Sequence, residues 1–91
     1  MDREQMESNI RDHVVNLLKQ QGILYTTATA YVDGGAVVVR VLLPDNMFIS
    51  SGRVRDLYTT LHDLDRHIFS LYIDILQQDF RLNIIYDPYN S

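Results

Sequence analysis

The sequence predicts a two-layer α+β domain in which helix, hairpin, helix and hairpin follow one another, with both helices on one face of a four-stranded, largely antiparallel sheet. Three observations carry this. Two stretches repeat apolar residues at three- and four-residue steps, Asp33-Gly34-Gly35 divides a pair of β-rich runs, and a clean apolar alternation turns back near Gln77 and Gln78.

The first helix is predicted from Arg3 to Gln21, where Met6, Ile10, Val14, Leu17, Leu18 and Gln21 share a face and Gly22 stands where a left-handed cap would sit. Two strands follow, Ile23 to Val32 and Ala36 to Leu43, rich in Val, Thr and Tyr, and Pro44, Asp45 and Asn46 close the second with turn chemistry. With Gly34 and Gly35 as the two turn residues, Val32 faces Val37, Ala30 faces Val39 and Ala28 faces Val41. That side is the predicted core, and its alanines leave room for a helix to come close. Tyr25, Thr27, Thr29, Tyr31, Val38, Arg40 and Leu42 fall on the other side.

The second helix is predicted from Gly52 to Asp65, capped by Ser50 or Ser51, with Val54, Leu57, Tyr58, Leu61 and Leu64 as its apolar stripe. In the final hairpin Phe69, Leu71, Ile73 and Ile75 are expected to point inward, answered by Phe80, Leu82, Ile84 and Tyr86. Ser70, Tyr72, Asp74, Arg81, Asn83 and Ile85 lie opposite them, with Asp74 and Arg81 placed for a cross-strand pair, and Pro88 ends the strand. Residues 1–91 form one domain on this reading, with fraying expected at 1–5 and 88–91. Ile10-Arg11-Asp12, Leu17 and Pro44 recur forty-four residues later as Val54-Arg55-Asp56, Leu61 and Pro88, whereas the hairpins superpose at forty-three. A one-residue mismatch flips every strand side chain, which weighs against an exact duplication.

Ninety-one residues, 46% of them hydrophobic, suffice for one core. A chain of this length hides only about 60% of its unfolded surface, so pairing with a twin or a partner is expected to add to it. With no cysteine the chain has neither disulfides nor thiolate metal sites, which fits a reducing compartment. Met1-Asp2-Arg3-Glu4-Gln5 lacks the basic-then-apolar run of an export signal, and Arg40 interrupts the apolar stretch from Val37 to Leu43, so the expectation is a soluble cytoplasmic protein without a membrane span. A net charge of -4 disfavours general binding to a phosphate backbone. Seven arginines stand against the single Lys19, a bias that suits contact surfaces as well as solvated ion pairs.

The chief candidate surface is the sheet face away from the helices, carrying Tyr25, Tyr31, Val38, Arg40, Leu42, Tyr72, Asp74, Arg81, Asn83 and Ile85. Mixed Tyr and Arg of this kind typify interface centres, although the same residues also suit an ordinary half-wet sheet. A second candidate is Ser50-Ser51-Gly52 with Arg53 and Arg55, where hydroxyls, free amides and guanidinium groups at a helix start could take an anion or an acidic partner. The third is His62-Asp63-Leu64-Asp65-Arg66-His67: on a continuing helix Asp63 would pair with His67 and His62 would sit near Arg66, and two histidines five apart do not converge on a metal. His13 stands alone on the first helix and is expected to border the core.

Catalysis finds no support in spacing. Ser50, Ser51 and Ser70 lie in no nucleophile elbow, no glycine-rich dinucleotide fingerprint occurs, and Asp63 and Asp65 would point apart on a helix. No cofactor and no metal are expected. The reading is a non-catalytic protein-binding module of adaptor, chaperone or inhibitor type, a homodimer through the Tyr/Arg face, with single-stranded nucleic-acid or anion binding as the alternative. The order of elements resembles that of small dimeric scaffold domains of the roadblock kind, in topology alone and without a motif that carries any residue across.

Overall fold

The computed structural model describes residues 2–44 and 50–89. Asp45 and Asn46, expected to turn the chain after the second strand, lie outside the described residues, as do the ends at Met1, Asn90 and Ser91, where fraying was expected. The elements follow the predicted order: α1 (Arg3–Gln20), β1 (Thr27–Asp33), β2 (Ala36–Leu42), α2 (Ser51–Leu64), β3 (Ile68–Leu76) and β4 (Asp79–Tyr86). The strands form one antiparallel, open sheet in the order β1-β2-β4-β3, so the two hairpins meet along β2 and β4, and β1 and β3 are the edges.

Both ends of α1 are held locally. The Asp2 carboxylate accepts the Gln5 amide at 2.7 Å, satisfying one of the amides that a helix start leaves without a partner. At the other end Ile23 N–H reaches back to Leu18 O and Gly22 N–H to Lys19 O, both at 3.0 Å, a Schellman closure with Gly22 at φ 75°. Ile23 is thereby turned into the core beside Leu18 and takes no part in a strand. The strand accordingly begins at Thr27, four residues later than the periodicity suggests.

The first hairpin turns through Gly34 and Gly35 at φ 59° and 87°, the left-handed pair that matches strand twist. Its register is the predicted one, Ala28↔Val41, Ala30↔Val39 and Val32↔Val37. Gln77 and Gln78 hold the same geometry in the second hairpin, at φ 51° and 75°. On L residues that conformation costs about 1–2 kcal/mol each, and it persists between two long strands whose pairing fixes the turn.

One cluster forms the core. Val14, Val15, Leu17 and Leu18 of α1 and Leu57 and Leu61 of α2 meet Val37, Val39, Val41, Ile68, Leu82 and Ile84 from the same face of the sheet. With α1 over β1 and β2, and α2 over β3, the domain has two layers. One inward assignment in β3, Phe69, is corrected. A bulge lies between Ile68 and Ser70, so Ile68 fills the core at 0% exposure while Phe69 is left 59% exposed. Ile75 belongs to the inward alternation but sits near the hairpin tip, 62% exposed. Leu64, the last residue of the α2 stripe, is likewise open to solvent.

Candidate functional site

Pairing across the sheet arranges the uncovered face in three rows. Tyr31, Val38, Ile85 and Ser70 form the first, Thr29, Arg40, Asn83 and Tyr72 the second, and Thr27, Leu42, Arg81 and Asp74 the third. The structure therefore brings together nine of the ten predicted residues: Tyr31, Val38, Arg40, Leu42, Tyr72, Asp74, Arg81, Asn83 and Ile85. Tyr25 is the correction. It precedes β1, so strand alternation does not govern it, and it packs against the core cluster with the Lys19 ammonium 6.0 Å from its ring centre.

Hydrogen bonds cross this face from one edge strand to the other. Arg40 donates through Nη2 to the Tyr31 hydroxyl at 2.9 Å and through Nε to Asn83 Oδ1 at 2.8 Å. Asn83 Nδ2 donates to Asp74 Oδ1 at 3.0 Å, and Arg81 donates to both Asp74 oxygens, the Nε bond measuring 2.9 Å. Arg40 also lies 5.2 Å from the centre of the Tyr31 ring. The Arg81 hydrogen bonds outweigh the opposing effect of burial and, with lesser help from Asn83 and from the positive charges of Arg81 and Arg40, hold the Asp74 carboxyl below its ordinary value.

Asn83 is 0% and Val38 3% exposed although no segment of the described chain covers this face. Their neighbours bury them. Tyr31 and Tyr72 remain 36% and 42% exposed at the two flanks. A hollow of about 250 Å3 opens at one end, with Leu42 and Leu76 as its apolar lining and Thr27, Thr29, Arg40, Asp79 and Arg81 as its polar lining. Arg40 and Arg81 are there balanced by Asp74 and Asp79, so the surface carries both signs without an excess of positive charge.

The helix-start candidate does not converge. The Ser50 hydroxyl accepts the Arg53 amide at 3.2 Å as an ordinary N-cap, and Ser51 and Gly52 form the exposed first turn. Arg53 lines one hollow with Gln21, Ile23, Asp56, Leu57 and Thr60, whereas Arg55 lines another with Val54, Tyr58, Phe69, Ser70 and Leu71. The two guanidinium groups thus border different sides of the helix.

A cluster that helical spacing does not reveal forms where α2 ends. The helix stops at Leu64, and Asp65 is extended at φ -150°, so the continuing helix on which Asp63–His67 and His62–Arg66 would share a face is not formed. Asp65 instead accepts His13 Nε2 at 2.7 Å, His67 Nδ1 at 2.8 Å and the His67 amide at 2.9 Å. His13, expected to stand alone, thus ties α1 to the end of α2. His62 donates through Nδ1 to Ile68 O at 2.7 Å. The advance signal is limited to the polar run of residues 62–67 at the end of α2, since His13, in the middle of α1, gives none.

Burial alone would raise the Asp65 carboxyl, but the His67 amide, both imidazoles and the Tyr86 hydroxyl outweigh it and bring it to about 2. Burial, then the charge and hydrogen bond of Asp65, pushes Tyr86 up to about 12. A carboxylate so fully engaged is a weak base at neutral pH. Among the described residues no group of three or more His, Cys, Asp or Glu is arranged to hold a metal ion. The lowered carboxyl stabilises the fold above its unfolded value of about 4 and loses that effect as pH falls towards about 2. Tyr86 acts at the other limit, contributing below about 10 and losing its contribution as pH rises to about 12. In urea titrations Asp65→Asn is expected to be less stable than the natural chain by on the order of 2 kcal/mol at neutral pH, with the gap closing below about pH 3. An unchanged gap at both ends would show that the carboxylate charge contributes nothing.

These features define a small α+β domain with one helix-covered and one open sheet face, and no helix among the described residues is long and apolar enough to cross a membrane. No family model, no curated protein and no solved structure matches the chain.

Proposed function

We propose that the protein is a non-catalytic, cytoplasmic protein-binding module of adaptor, chaperone or inhibitor type, working as a homodimer and contacting its protein partner through the Tyr/Arg face of the sheet. One observation carries this reading. The uncovered face is already organised, with Asn83 fully buried as the central link of a hydrogen-bonded belt that runs from Tyr31 to Asp74 and with Tyr31 and Tyr72 exposed at its flanks. Side chains fixed in advance lose little entropy on binding, and tyrosines supply contact area at low conformational cost. The balance of Arg40 and Arg81 against Asp74 and Asp79 lets the surface be covered without stranding charge. It also favours a protein over a phosphate backbone, which calls for a positive surplus. The absence of cysteine is consistent with a reducing compartment.

The test is capture from the native host with the natural chain, with Tyr31→Ala/Tyr72→Ala and with Arg53→Ala/Arg55→Ala, followed by titration of the purified captured protein. The tyrosine pair is expected to weaken binding by about tenfold or more and the arginine pair to leave it unchanged. The reverse order would move the contact to the start of α2. Binding only to single-stranded oligonucleotides, falling steeply with added salt, would replace the reading with the nucleic-acid alternative.

A further inference from the structure

We propose that the second copy in the homodimer pairs with this chain along the free edge of β3, antiparallel and centred on Tyr72, which leaves the Tyr/Arg face to a different protein. The inference rests on the proposed dimer and says where the twin sits. β3 is a terminal strand of the sheet and carries four of the eight large apolar side chains exposed among the described residues, namely Phe69, Tyr72, Ile75 and Leu76. Its only charged residue, Asp74, is already bound to Arg81. Strand edges of this kind, long, apolar and free of lysine and proline, are templates for another strand. The other edge, β1, exposes Thr27, Thr29 and Asp33, and its one exposed large side chain, Tyr31, is already held by Arg40.

Hydrogen-bond parity allows this register, and side-chain matching selects it. Leu76 and Asp79 close the two-residue turn and so bond to one another, which directs the backbone groups of Asp74 and Tyr72 to β4 and those of Leu71, Ile73 and Ile75 outward. A two-fold axis at Tyr72 sets the outward-directed Leu71 against Ile73 of the second copy. Asp74 then faces a serine hydroxyl, Ser70, which can donate to it, and no like charges meet. Phe69 and Ile75, both more than half exposed, face one another. Beside Phe69 lies a hollow of about 200 Å3 lined by Val54, Arg55, Tyr58, Ser70 and Leu71, on the helix side of the sheet where the opposing Ile75 would point. Because the contact is isologous, each copy supplies one protruding Ile75 and one hollow, and both fill together. Moving the axis by one residue to Ile73 would set Phe69 against Gln77 and leave the hollow without an apolar occupant.

Light scattering over a dilution series, with circular dichroism to verify folding, tests this on four proteins: the natural chain, Phe69→Lys/Ile75→Lys, Phe69→Glu/Ile75→Glu, and Tyr31→Ala/Arg40→Ala. The substituted edge side chains are exposed, so the fold is expected to survive. The natural chain and the Tyr31/Arg40 variant are expected to be dimers, each edge variant alone to dissociate about tenfold or more readily, and an equal mixture of the two edge variants to recover the dimer through opposite charges. A natural chain monomeric at every concentration overturns the inference, as does a mixture that stays monomeric. A dimer that withstands the edge substitutions but dissolves in the Tyr31/Arg40 variant also overturns it. That last outcome puts the twin on the Tyr/Arg face and leaves the proposed protein-binding function standing.

Discussion

Asn83→Ala is expected to lower the unfolding free energy by about 2–3 kcal/mol, with a fall in melting temperature on the order of 10 °C. Asn83 has no exposed surface, accepts from Arg40 and donates to Asp74. Truncation removes one donor and one acceptor together, leaving Arg40 Nε without its acceptor and Asp74 with one bond fewer, and hydrogen bonds to charged groups are the costly ones to lose. The effect reaches the edges of the sheet, because Asn83 is the link between the Tyr31–Arg40 pair on one side and the Asp74–Arg81 pair on the other. Asn83→Asp is a sharper probe. It keeps the shape and the acceptor for Arg40, but sets a second carboxylate against Asp74, so its penalty should grow as pH rises through the carboxylate range. Chemical denaturation of both variants checks this, and a loss below about 0.5 kcal/mol for Asn83→Ala would show that the belt does not hold the face.

Leu61→Ala is expected to cost about 2–5 kcal/mol, a large share of the stability of so small a domain. Leu61 is 0% exposed in the cluster with Leu57, under which β3 and β4 present Ile68, Leu82 and Ile84. A cavity there has rigid walls on the sheet side and little means to collapse. Leu64→Ala, three residues further along the predicted stripe, removes the same atoms from a side chain 53% exposed, and should change stability by no more than about 0.5 kcal/mol. Equal losses for the two substitutions in urea unfolding would contradict the packing described.

The first hairpin shows why much of the fold and of its open face can be read from the chain. Gly34 and Gly35 are a local cause with a long reach: a two-residue turn sets the register, the register sets which side each strand residue takes, and Tyr31, Val38, Arg40 and Leu42 are thereby assigned together. The second hairpin gives Tyr72, Asp74, Arg81, Asn83 and Ile85 in the same way, including the Asp74–Arg81 pair. What local pattern cannot carry is an interruption of the pattern. The bulge at Ile68 and Ser70 exchanges Phe69 for Ile68 in the core, and nothing in an alternating run announces it. Tyr25 escapes the strand alternation because the Gly22 closure turns the chain before β1 begins at Thr27. The Asp65 cluster lay furthest from view, because His13 and Asp65 are 52 positions apart and meet only once both helices are packed. Burial of Asn83 on an uncovered face has the same origin, since its flanking neighbours Arg40 and Tyr72 come from the adjacent strands β2 and β3.

Tyrosine nitration, read residue by residue by mass spectrometry in the free protein and in the complex with its captured partner, tests the contact face most directly. Tyr31 and Tyr72 are both accessible in the free chain, and Tyr89, 80% exposed near the end of the chain, serves as an internal reference. If the sheet face is the contact surface, Tyr31 and Tyr72 lose reactivity together in the complex while Tyr89 keeps its own. Unchanged labelling of Tyr31 and Tyr72 in a complex shown to be intact would contradict it.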